Sequence, residues 1–567
     1  MDTPDRSLQS AAEILLRRMA ERGIDHVFAN SGTDFAPIIE AVARNPGDRG
    51  LPRFVIAPHE NLAMGMANGY YRMSGKPAAV MVHVTVGTAN TVCQLMNMAR
   101  DNVPVLLCAG RTPNTETGHV ASRNGVIHWG QESFDQGAMV REFVKWDYEL
   151  RAGQPVGALV DRALDIAMSE PRGPVYMCLP REVLADPAVP MRRDTIRPLG
   201  ATPAMPSPSA IEETAALIAR ARSPLIITSG LGRSPDAVEA LSLLCDDHAI
   251  PVIQVAATDM NLPSGHAMNL GYAGSPEPYL QDADLVLVMC CGVPWMPRQT
   301  RPKDSARIVH IDVDPLVSRH PFRESEADLV IAGQPGAALR MLREALGPRK
   351  PHEARRAAVA TIKAGIEAAK ATLLRQASTQ TPIHPAWLGH CINAAKDKDA
   401  VLVNETGTSP RWMDMARSGS LIGGSLAGGL GAGLGTALGA KLAAPDREVI
   451  AVVGDGSYMF GNPLPYHFVQ RAEKLATLTV VANNHQWSAV QQSTLAIYPD
   501  GAAAKANVMP LQDLNPSPAF EKVAESCGGY GESVENPDEL PAALKRALSK
   551  VRSGIPALLN VHTTGRP

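Results

Sequence analysis

Residues 449–457 read VIAVVGDGS, and this stretch decides the fold. The apolar residues before the first glycine are typical of a strand buried on both faces of a parallel sheet. A similar apolar run at 478–481 leads to Asn483 and Asn484, and 26 residues separate Gly456 from Asn483. Two such strands in one parallel sheet open onto the same edge, where ligands of these folds bind.

The residues at these two strand ends suit a divalent cation and a diphosphate. Asp455 offers a carboxylate, Asn484 offers an amide oxygen, and the following turn offers a main-chain carbonyl, that of Gln486. Oxygen ligands with room for phosphate oxygens are typical of Mg2+. Gly454 and Gly456 flank the aspartate and let the backbone approach a diphosphate closely. Ordinary strand-end turns would explain either half of this pattern, but they explain the pair poorly.

The chain of 567 residues is too long for one hydrophobic core, because cores rarely grow beyond about 300 residues. A Pro-rich stretch at 197–209 and an Ala/Lys/Arg-rich helical stretch at 352–377 divide it into three blocks. Each block alternates helix and strand patterns, which predicts an α/β fold of doubly wound parallel sheets. The predicted domains are 1–185, 205–345 and 380–567, and the first and third have similar layouts.

Short apolar runs predict the strands, and apolar residues spaced three and four apart predict the helices. The predicted strands are 26–29, 78–82, 103–108, 224–228, 251–255, 285–289, 308–311, 401–403, 449–453 and 478–481. The predicted helices include 12–19, with Gly23 at its C-terminal end, 61–73, one that opens at Gly87, and 487–498.

Composition excludes several classes of protein. Lys and Arg number 54 and Asp and Glu 57, a net charge of -3 with no basic block, so nucleic acid is not expected as a partner. The 8 cysteines contain no CxxC pair, which favours reduced thiols over a disulfide framework or a zinc site. The first ten residues, MDTPDRSLQS, lack the pattern of a signal peptide, so we expect a cytoplasmic protein.

One stretch has the length of a membrane span. Residues 421–440, LIGGSLAGGLGAGLGTALGA, carry no charge and contain GxxxG spacings. Eight of these twenty residues are glycine, however, and each costs a helix interior about 1 kcal/mol relative to alanine. A Gly-rich loop leading into a tightly packed helix is therefore expected here, and no membrane partner.

The motif at 449–484 resembles the diphosphate-binding signature of thiamine diphosphate enzymes, and the similarity covers nearly the whole chain. Residues 403–413 (VNETGTSPRWM) and 427–457 (AGGLGAGLGTALGAKLAAPDREVIAVVGDGS) resemble benzoylformate decarboxylase. Residues 57–91 (APHENLAMGMANGYYRMSGKPAAVMVHVTVGTANT) resemble the pyrimidine-binding domain of the same enzymes. The chain is thus similar to the acetohydroxyacid synthase, benzoylformate decarboxylase and benzaldehyde lyase group. This resemblance implies an N-terminal pyrimidine-binding, a central and a C-terminal diphosphate-binding domain.

The resemblance implies cofactor-binding roles for particular residues. Glu60 corresponds to the glutamate that hydrogen-bonds N1′ of the aminopyrimidine; without the resemblance it would be taken for a partner of the helix dipole. Leu430 corresponds to the bulky side chain that props the cofactor in its V shape, and Gly428 would offer its carbonyl to the 4′-amino group. Gly407 and Thr408 correspond to residues that contact the diphosphate, Gly407 through its main chain only. The other predicted cofactor ligands are Gly32, Gly454, Asp455, Gly456, Ser457, Asn484 and Gln486, and Asp455, Asn484 and Gln486 would also bind the Mg2+.

The residues expected on the substrate side are fewer. Thr33 corresponds to a serine that contacts the substrate carboxylate in benzoylformate decarboxylase, and His83 to the proton-relaying histidine of that enzyme. Gln131 resembles a glutamine that acetohydroxyacid synthases place near the cofactor. Gln299 stands where the decarboxylase has a second relaying histidine, and an amide cannot relay a proton.

The resemblance implies an enzyme that binds thiamine diphosphate and Mg2+ and breaks a carbon–carbon bond next to a carbonyl. Its expected substrate is a 2-oxo acid, with release of an aldehyde or ligation to an acceptor aldehyde or ketone. The alternative is an acetolactate synthase-type transferase, with or without FAD. A homodimer is the expected minimum and a homotetramer the expected assembly, because sites of this family use domains of two chains.

Two other classes of protein have sequence features that would identify them. A non-catalytic thiamine diphosphate sensor would be expected to lack Glu60. A nicotinamide or flavin oxidoreductase would need a full GxGxxG and an acidic residue about twenty positions further on, and the central block has only Gly230-Leu231-Gly232.

Overall fold

Three six-stranded sheets form the frame of the protein in a computed structural model that describes residues 9–193, 195–324 and 326–565. Neighbouring strands pair in parallel in all three sheets, and helices connect them. This confirms the predicted fold class of doubly wound parallel sheets. The strands are nearly continuous apolar runs because helices cover both faces of such a sheet.

The first sheet lies within the first predicted block. Its strands are β1 (His26–Ala29), β2 (Arg53–Ile56), β3 (Ala79–Val82), β4 (Leu106–Arg111), β5 (Asp147–Glu149) and β6 (Val175–Pro180). They are ordered β2-β1-β3-β4-β6-β5. The helices of this block are α1 (Ala11–Glu21), α2 (Ala36–Arg44), α3 (Glu60–Ser74), α4 (Val84–Arg100), α5 (Ile127–Gly130), α6 (Val156–Met168) and α7 (Arg181–Ala185).

The second sheet has the strand order of a dinucleotide-binding fold. Its strands are β7 (Pro224–Thr228), β8 (Val252–Val255), β9 (Asn269–Ala273), β10 (Leu285–Met289), β11 (Arg307–Asp312) and β12 (Leu329–Ala332). They are ordered β12-β11-β10-β7-β8-β9. The helices are α8 (Pro208–Arg220), α9 (Pro235–His248), α10 (Tyr279–Asp282), α11 (Pro335–Leu346) and the long α12 (Glu353–Ala377).

The third sheet repeats the order of the first. Its strands are β13 (Val401–Glu405), β14 (Leu421–Gly423), β15 (Val449–Gly454), β16 (Leu478–Asn483), β17 (Tyr530–Val534) and β18 (Ala557–His562). They are ordered β14-β13-β15-β16-β18-β17. The first and third blocks, whose sequence layouts are similar, thus have the same sheet topology. The helices are α13 (Pro385–Ala395), α14 (Ala432–Ala443), α15 (Asp455–Phe460), α16 (Pro463–Ala472), α17 (Ser488–Ile497), α18 (Ala502–Lys505), α19 (Phe520–Ser526) and α20 (Leu540–Arg552).

The described residues form two compact units. The first unit contains the residues up to Thr202 together with Ser425–Pro445 and Gly461–Leu475. The second unit contains Pro203–Gly424, Asp446–Phe460 and the residues from Ala476 onward. Helices α14 and α16 connect strands of the third sheet but belong to the first unit. The predicted domain boundaries stay predictions.

Helix α1 shows how local sequence sets an element. The Ser10 side chain accepts a hydrogen bond from the Glu13 amide (3.3 Å), and the Ser10 amide donates to the Glu13 carboxylate (3.0 Å), which is a complete capping box. Leu15 and Leu16 on the next turn are fully buried. Gly23 follows the helix with a φ of 86°, as the sequence predicts for its C-terminal end.

The Gly-rich stretch 421–440 folds as a short strand, a loop and the first three-quarters of α14. Helix α14 packs against α3 with glycines in the contact. A Cβ atom on Gly69 would lie 1.9 Å from the carbonyl oxygen of Thr436, and one on Gly439 would lie 1.9 Å from that of Met66. The two backbones thus touch directly. Within the described ranges, no helix has the length and apolar character that crossing a bilayer requires.

Many element boundaries differ from the sequence prediction by one or two residues, and two elements begin three residues away from their predicted start for local reasons. The strand predicted at 103–108 begins at Leu106, and Pro104, which has no amide hydrogen, lies in the excluded part. The helix predicted to open at Gly87 begins at Val84, which has a φ of 31°. A β-branched residue rarely adopts this conformation, so the sequence around it gave no sign of the earlier start.

The glycine contact between α3 and α14 predicts a large loss of stability in Gly439→Ala. The added methyl group would have to displace the main chain of α3, so we expect a loss of about 2 kcal/mol or more in the free energy of unfolding. The matched control is Gly365→Ala, because Gly365 lies on exposed α12 with no atom near its missing Cβ. That variant should gain about 0.5–1 kcal/mol. Urea unfolding measures both, and equal midpoints would contradict the prediction.

Candidate active site

The strand order determines where ligand-binding residues gather. In the first sheet β1 lies between β2 and β3, so the connections after β1 and β3 diverge at this point of the sheet. In the third sheet the same holds for β13 and β15. Ligands of open parallel sheets bind at such switch points, outside the carboxyl ends of the strands. The loops after β1, β3, β13 and β15 carry most of the residues that the sequence singles out.

At the first switch point, the side chains of His83 and Asp34 contact each other. The Nδ1 atom of His83 shares a short hydrogen bond with Oδ1 of Asp34, and both side chains are largely buried. This bond raises the pKa of His83, and burial of the ring opposes the shift only in part; the Asp34 charge and Gln131 add to it. His83 therefore keeps its proton to higher pH. Its second ring nitrogen, Nε2, is not bound to Asp34.

The surroundings of Asp34 are mostly apolar. Its second carboxylate oxygen, Oδ2, is buried and has no hydrogen-bond partner among the described residues. Phe35, Ile38 and Leu179 line the small space beside it. A Cβ atom on Gly110 would lie 1.6 Å from Oδ2, so the glycine leaves room for the carboxylate. Asp34 was not predicted from the sequence; the signal that would have found it is its position in the segment after β1, next to β3, the strand that His83 follows.

The backbone around His83 is built to hold the ring in place. A Cβ atom on Gly32 would lie 2.1 Å from Nδ1 of His83, so Gly32 supports the histidine rather than only a cofactor. Val84, the next residue after His83, holds the unusual φ of 31° although it is fully buried. Such strain persists where surrounding structure fixes it, and it clusters at functional sites.

Glu60 is the first residue of α3, and its carboxylate is buried. Asn90 on α4 donates a hydrogen bond to its Oε2 atom (3.1 Å). A Cβ atom on Gly87 would lie 3.2 Å from the Oε1 atom, so this glycine keeps the other face of the carboxylate open. The carboxylate therefore has one fixed partner and one oxygen with space beside it, which fits a ligand that shares a proton with it.

Gln131 lies close to His83, whereas Thr33 is exposed. The main-chain carbonyl of Gln131 accepts a hydrogen bond from Thr85 on α4 (2.7 Å). Its side-chain Oε1 atom is buried without a partner in the described part of the chain. The hydroxyl-bearing side chain of Thr33 is exposed, and its carbonyl accepts from Arg181 (3.3 Å).

Asn97 on α4 holds the loop that carries Gly428 and Leu430. Its side-chain nitrogen donates to the carbonyl of Gly429 (2.7 Å), and its side-chain oxygen accepts from the amide of the same residue (3.0 Å). Gln94 donates to the carbonyl of Leu430 (3.5 Å). Leu430 itself is half-buried and Gly428 is exposed, with a φ of 67°. The main chain around Leu430 is therefore held by hydrogen bonds, while the Leu430 side chain stays partly exposed.

In the second unit, Asp455 is the buried carboxylate at the end of β15. Its Oδ1 atom accepts from the amide of Gly456 (2.8 Å), while Oδ2 is buried and lacks a hydrogen-bond partner in the described ranges. Burial raises the pKa of Asp455, and the amides of Gly456 and His485 oppose this shift. An unpaired carboxylate oxygen in a dry site fits a cation. A Cβ atom on Gly456 would lie 2.1 Å from the Trp487 ring, so this glycine also serves packing.

Asn484 and Gln486 lie in the turn after β16, beside Asp455. The side-chain oxygen of Asn484 accepts from the Gln486 amide (3.1 Å), and its nitrogen donates to Ser488 (2.7 Å), which fixes the direction of the amide. In the ranges that the structure describes, no three His, Cys, Asp or Glu side chains are grouped to hold a metal ion. The predicted Mg2+ ligands differ from such a group, because Asp455 is the one carboxylate among them and the other two are amide and carbonyl oxygens. Oxygen ligands of these types fit a hard cation.

The loop after β13 has partners within the protein. Thr406, with a φ of 59°, shares a hydrogen bond with Ser457 between their hydroxyls (2.8 Å). A Cβ atom on Gly454 would lie 2.8 Å from that Thr406 hydroxyl, so this glycine serves the same contact. The Thr408 hydroxyl donates its hydrogen to the carbonyl of Pro385 (2.9 Å), so only its lone pairs and the Thr408 main chain remain available to a ligand. A Cβ atom on Gly407 would lie 2.6 Å from Val452, so Gly407 is required for packing on β15.

In the central sheet, packing explains both glycines of the Gly230-Leu231-Gly232 turn. A Cβ atom on Gly230 would lie 2.3 Å from the guanidinium of Arg233, and one on Gly232 would lie 2.1 Å from the Met260 carbonyl. The turn thus gives no support to a flavin, and FAD stays a prediction. Gln299 is exposed on the same unit.

Three family models match the chain in order. They are the thiamine pyrophosphate enzyme N-terminal TPP binding domain at residues 9–139, the central domain at 211–342 and the C-terminal TPP binding domain at 405–561. Together they cover more than two-thirds of the sequence, and they include nearly all of the residues described above.

Full-length relatives carry different activities in their names. The chain is 27% identical over 578 residues to a probable acetolactate synthase of Mycobacterium bovis, covering 99% of this chain and 97% of that protein. It is also 27% identical over 582 residues to benzoylformate decarboxylase of Pseudomonas aeruginosa, covering 98% and 99%. Among solved structures, a thiamine diphosphate-dependent 4-hydroxybenzoylformate decarboxylase of Rhodococcus jostii superposes with a TM-score of 0.78 at 23% identity, over 98% and 100% of the two chains. The last likeness supports the fold.

The pair of His83 and Asp34 predicts a titration that can be measured without substrate. Asp34→Asn removes the anion, so the pKa of His83 should fall toward its ordinary value and the ring should be neutral at lower pH. NMR of histidine-labelled protein, with His83 assigned from His83→Asn, follows this midpoint. Asp186→Asn is the matched control, because Asp186 pairs with another histidine, His119. An unchanged midpoint in Asp34→Asn would contradict the assignment.

Proposed function

Because this chain belongs to the thiamine pyrophosphate enzyme family, we propose that it uses thiamine diphosphate and Mg2+ to decarboxylate a 2-oxo acid. The product is either an aldehyde or the adduct with an acceptor aldehyde or ketone. The observation that carries the proposal is Glu60, a buried carboxylate with one oxygen bound to Asn90 and the other open, in the matched N-terminal TPP binding domain. A non-catalytic binding protein has no need of such a group.

Glu60 would hold a proton at N1′ of the aminopyrimidine. Asn90 fixes the direction of the carboxylate, so the open oxygen is the one available to the ring nitrogen. When bound, the thiazolium of the cofactor accepts the electron pair left on the carbonyl carbon as CO2 departs. Leu430 would support the cofactor between its two rings, and Gly428 would accept a hydrogen bond from its 4′-amino group.

The second unit would hold the charged end of the cofactor. Asp455, Asn484 and the carbonyl of Gln486 would bind Mg2+, which is supported by the unpaired Oδ2 atom of Asp455. The main chain at Gly454, Gly456 and Gly407 would lie along the diphosphate, together with Ser457 and Thr408.

His83 would handle the proton that an aldehyde product requires. Asp34 keeps the His83 ring charged to higher pH. The Nε2 atom of His83 would therefore act as a proton donor near the substrate carbon. Gln131, whose Oε1 atom lacks a partner among the described residues, would orient the substrate or an acceptor. Thr33, the exposed residue next to Asp34, would contact the carboxylate of the 2-oxo acid.

The second candidate is an acetolactate synthase-type transferase, with or without FAD. Gln131 beside His83 and the relative named as an acetolactate synthase favour it. Under either activity we propose a homodimer as the minimum and a homotetramer as the assembly, with thiamine diphosphate contacted by both chains of a dimer.

A panel of 2-oxo acids tests the proposal directly. Pyruvate, benzoylformate, phenylpyruvate, and branched-chain, sulfonated and hydroxylated analogues are each supplied with and without an acceptor aldehyde. We expect CO2 release from at least one acid, lost after removal of thiamine diphosphate and Mg2+. Acetolactate from pyruvate would select the second candidate, and a flavin spectrum would decide on FAD. No CO2 from any acid, with cofactor shown to be bound, would contradict the proposal.

Glu60→Gln should fold and bind the cofactor but lose turnover. The amide keeps the shape of the side chain but cannot hold a proton at N1′, so we expect kcat to fall by about 10²–10⁴-fold. Calorimetry checks that thiamine diphosphate still binds. Glu40→Gln, an exposed change on α2 that removes an ion pair with Arg44, is the control and should keep full activity. Near-normal turnover in Glu60→Gln would refute the role of this residue.

A further inference from the structure

A chain of buried amides lies beneath the turn that carries Asn484 and Gln486. Asn483, the last residue of β16, is fully buried. Its side-chain oxygen accepts from the His485 amide (3.2 Å), and its side-chain nitrogen donates to Asn560 (3.1 Å) and to Ser517 (3.1 Å). The turn is thus tied to the neighbouring strand by one side chain.

Asn560 continues the chain across the sheet. It lies on β18, which pairs directly with β16, and it is 3% exposed. Its side-chain nitrogen donates to the Glu521 carboxylate (3.0 Å), on helix α19. A Cβ atom on Gly531 of β17 would lie 2.3 Å from the main-chain oxygen of Glu521, so the main chain of α19 lies directly against the sheet at the residue that carries the carboxylate.

The carboxylate sets the direction of both amides. Glu521 can only accept hydrogen bonds, so Asn560 must turn its NH2 group toward it and its oxygen toward Asn483. Asn483 must then turn its own NH2 group toward Asn560 and its oxygen toward the His485 amide. The Glu521 carboxylate therefore sets which atom of Asn483 faces the turn after β16, through the side chain of Asn560.

The end of this chain is a strained position. His485 has a φ of 59°, a left-handed conformation that an L-residue adopts at a cost. It lies between Asn484 and Gln486, so its conformation sets where the Asn484 side chain and the Gln486 carbonyl point. The hydrogen bond from the His485 amide to Asn483 helps to hold that conformation.

We infer that Asn483, Asn560 and Glu521 are positioning residues that hold the Asn484–Gln486 turn in the form that binds Mg2+. The inference rests on the proposed function, because the cation is part of it. None of the three residues contacts the metal; they act through the main chain of His485. Groups that orient metal ligands in this way commonly change affinity by about 10–100-fold when altered.

The test uses a change that removes one hydrogen-bond donor and keeps the shape of the side chain. Asn560→Asp keeps the acceptor that faces Asn483 but places a carboxylate against Glu521. We expect the Mg2+ concentration for half-saturation, at fixed thiamine diphosphate, to rise by about tenfold or more in calorimetry. We expect kcat at saturating Mg2+ to change less than about twofold, since the bound form is the same.

The double variant Asn560→Asp/Glu521→Gln restores the bond, because the new amide donates to the new carboxylate. Its Mg2+ affinity should return close to that of the unaltered protein. Glu525→Gln is the matched control on α19, since Glu525 is exposed and pairs only with Lys522 among the described contacts, and it should have no effect. Asp455→Asn is the reference for a lost ligand.

The outcomes separate the inference from the proposed function. No Mg2+-dependent binding of thiamine diphosphate by the unaltered protein would overturn the proposed function itself. Binding by the unaltered protein with equal affinity in Asn560→Asp would overturn the inference alone. So would a loss that the double variant fails to recover, or a lower melting temperature with Mg2+ affinity unchanged, because these indicate a merely structural role.

Discussion

Direct contact between two helix backbones controls the geometry of the first unit. Gly69 on α3 and Gly439 on α14 leave no space for a side chain, so the two helices can meet in one register. Glu60 begins α3, and Leu430 lies just before α14. The register of the glycines therefore sets how α3, which begins with the buried Glu60 carboxylate, meets the helix that follows Leu430. Asn97 holds the leucine loop from a third helix and removes the remaining freedom.

Much of the fold could be predicted from the sequence, because its strands are short apolar runs with clear ends. The strands at His26–Ala29, Pro224–Thr228 and Leu285–Met289 have the predicted bounds. Strand β2 (Arg53–Ile56) was not predicted: its apolar run at 54–56 lies between Pro52 and Pro58, and prolines are typical of loops, while two of its four residues are exposed. The grouping of α14 with the first unit depends on long-range contacts, which periodicity does not record.

The candidate site was predictable where a residue type is required by chemistry at a strand end. Asp455 and Asn484 are of this kind, and their roles stay predictions. Asp34 and Asn560 were missed for a different reason: each matters through a partner far away in the chain, His83 for one and Asn483 for the other. Several glycines that looked like cofactor contacts, Gly32 and Gly407 among them, prove to be required by protein atoms as well. The position of a glycine in the sequence does not show whether it is needed for contact with a cofactor or for packing against protein atoms.

The shared strand order of the first and third sheets has a consequence for how this protein can change. The same topological position carries the His83–Asp34 pair in one sheet and Asp455, the proposed ligand of a cation, in the other. Under the proposed roles, we expect relatives with different substrates to differ mainly in the loops after β1 and β3, and to keep the strand-end turns of the third sheet.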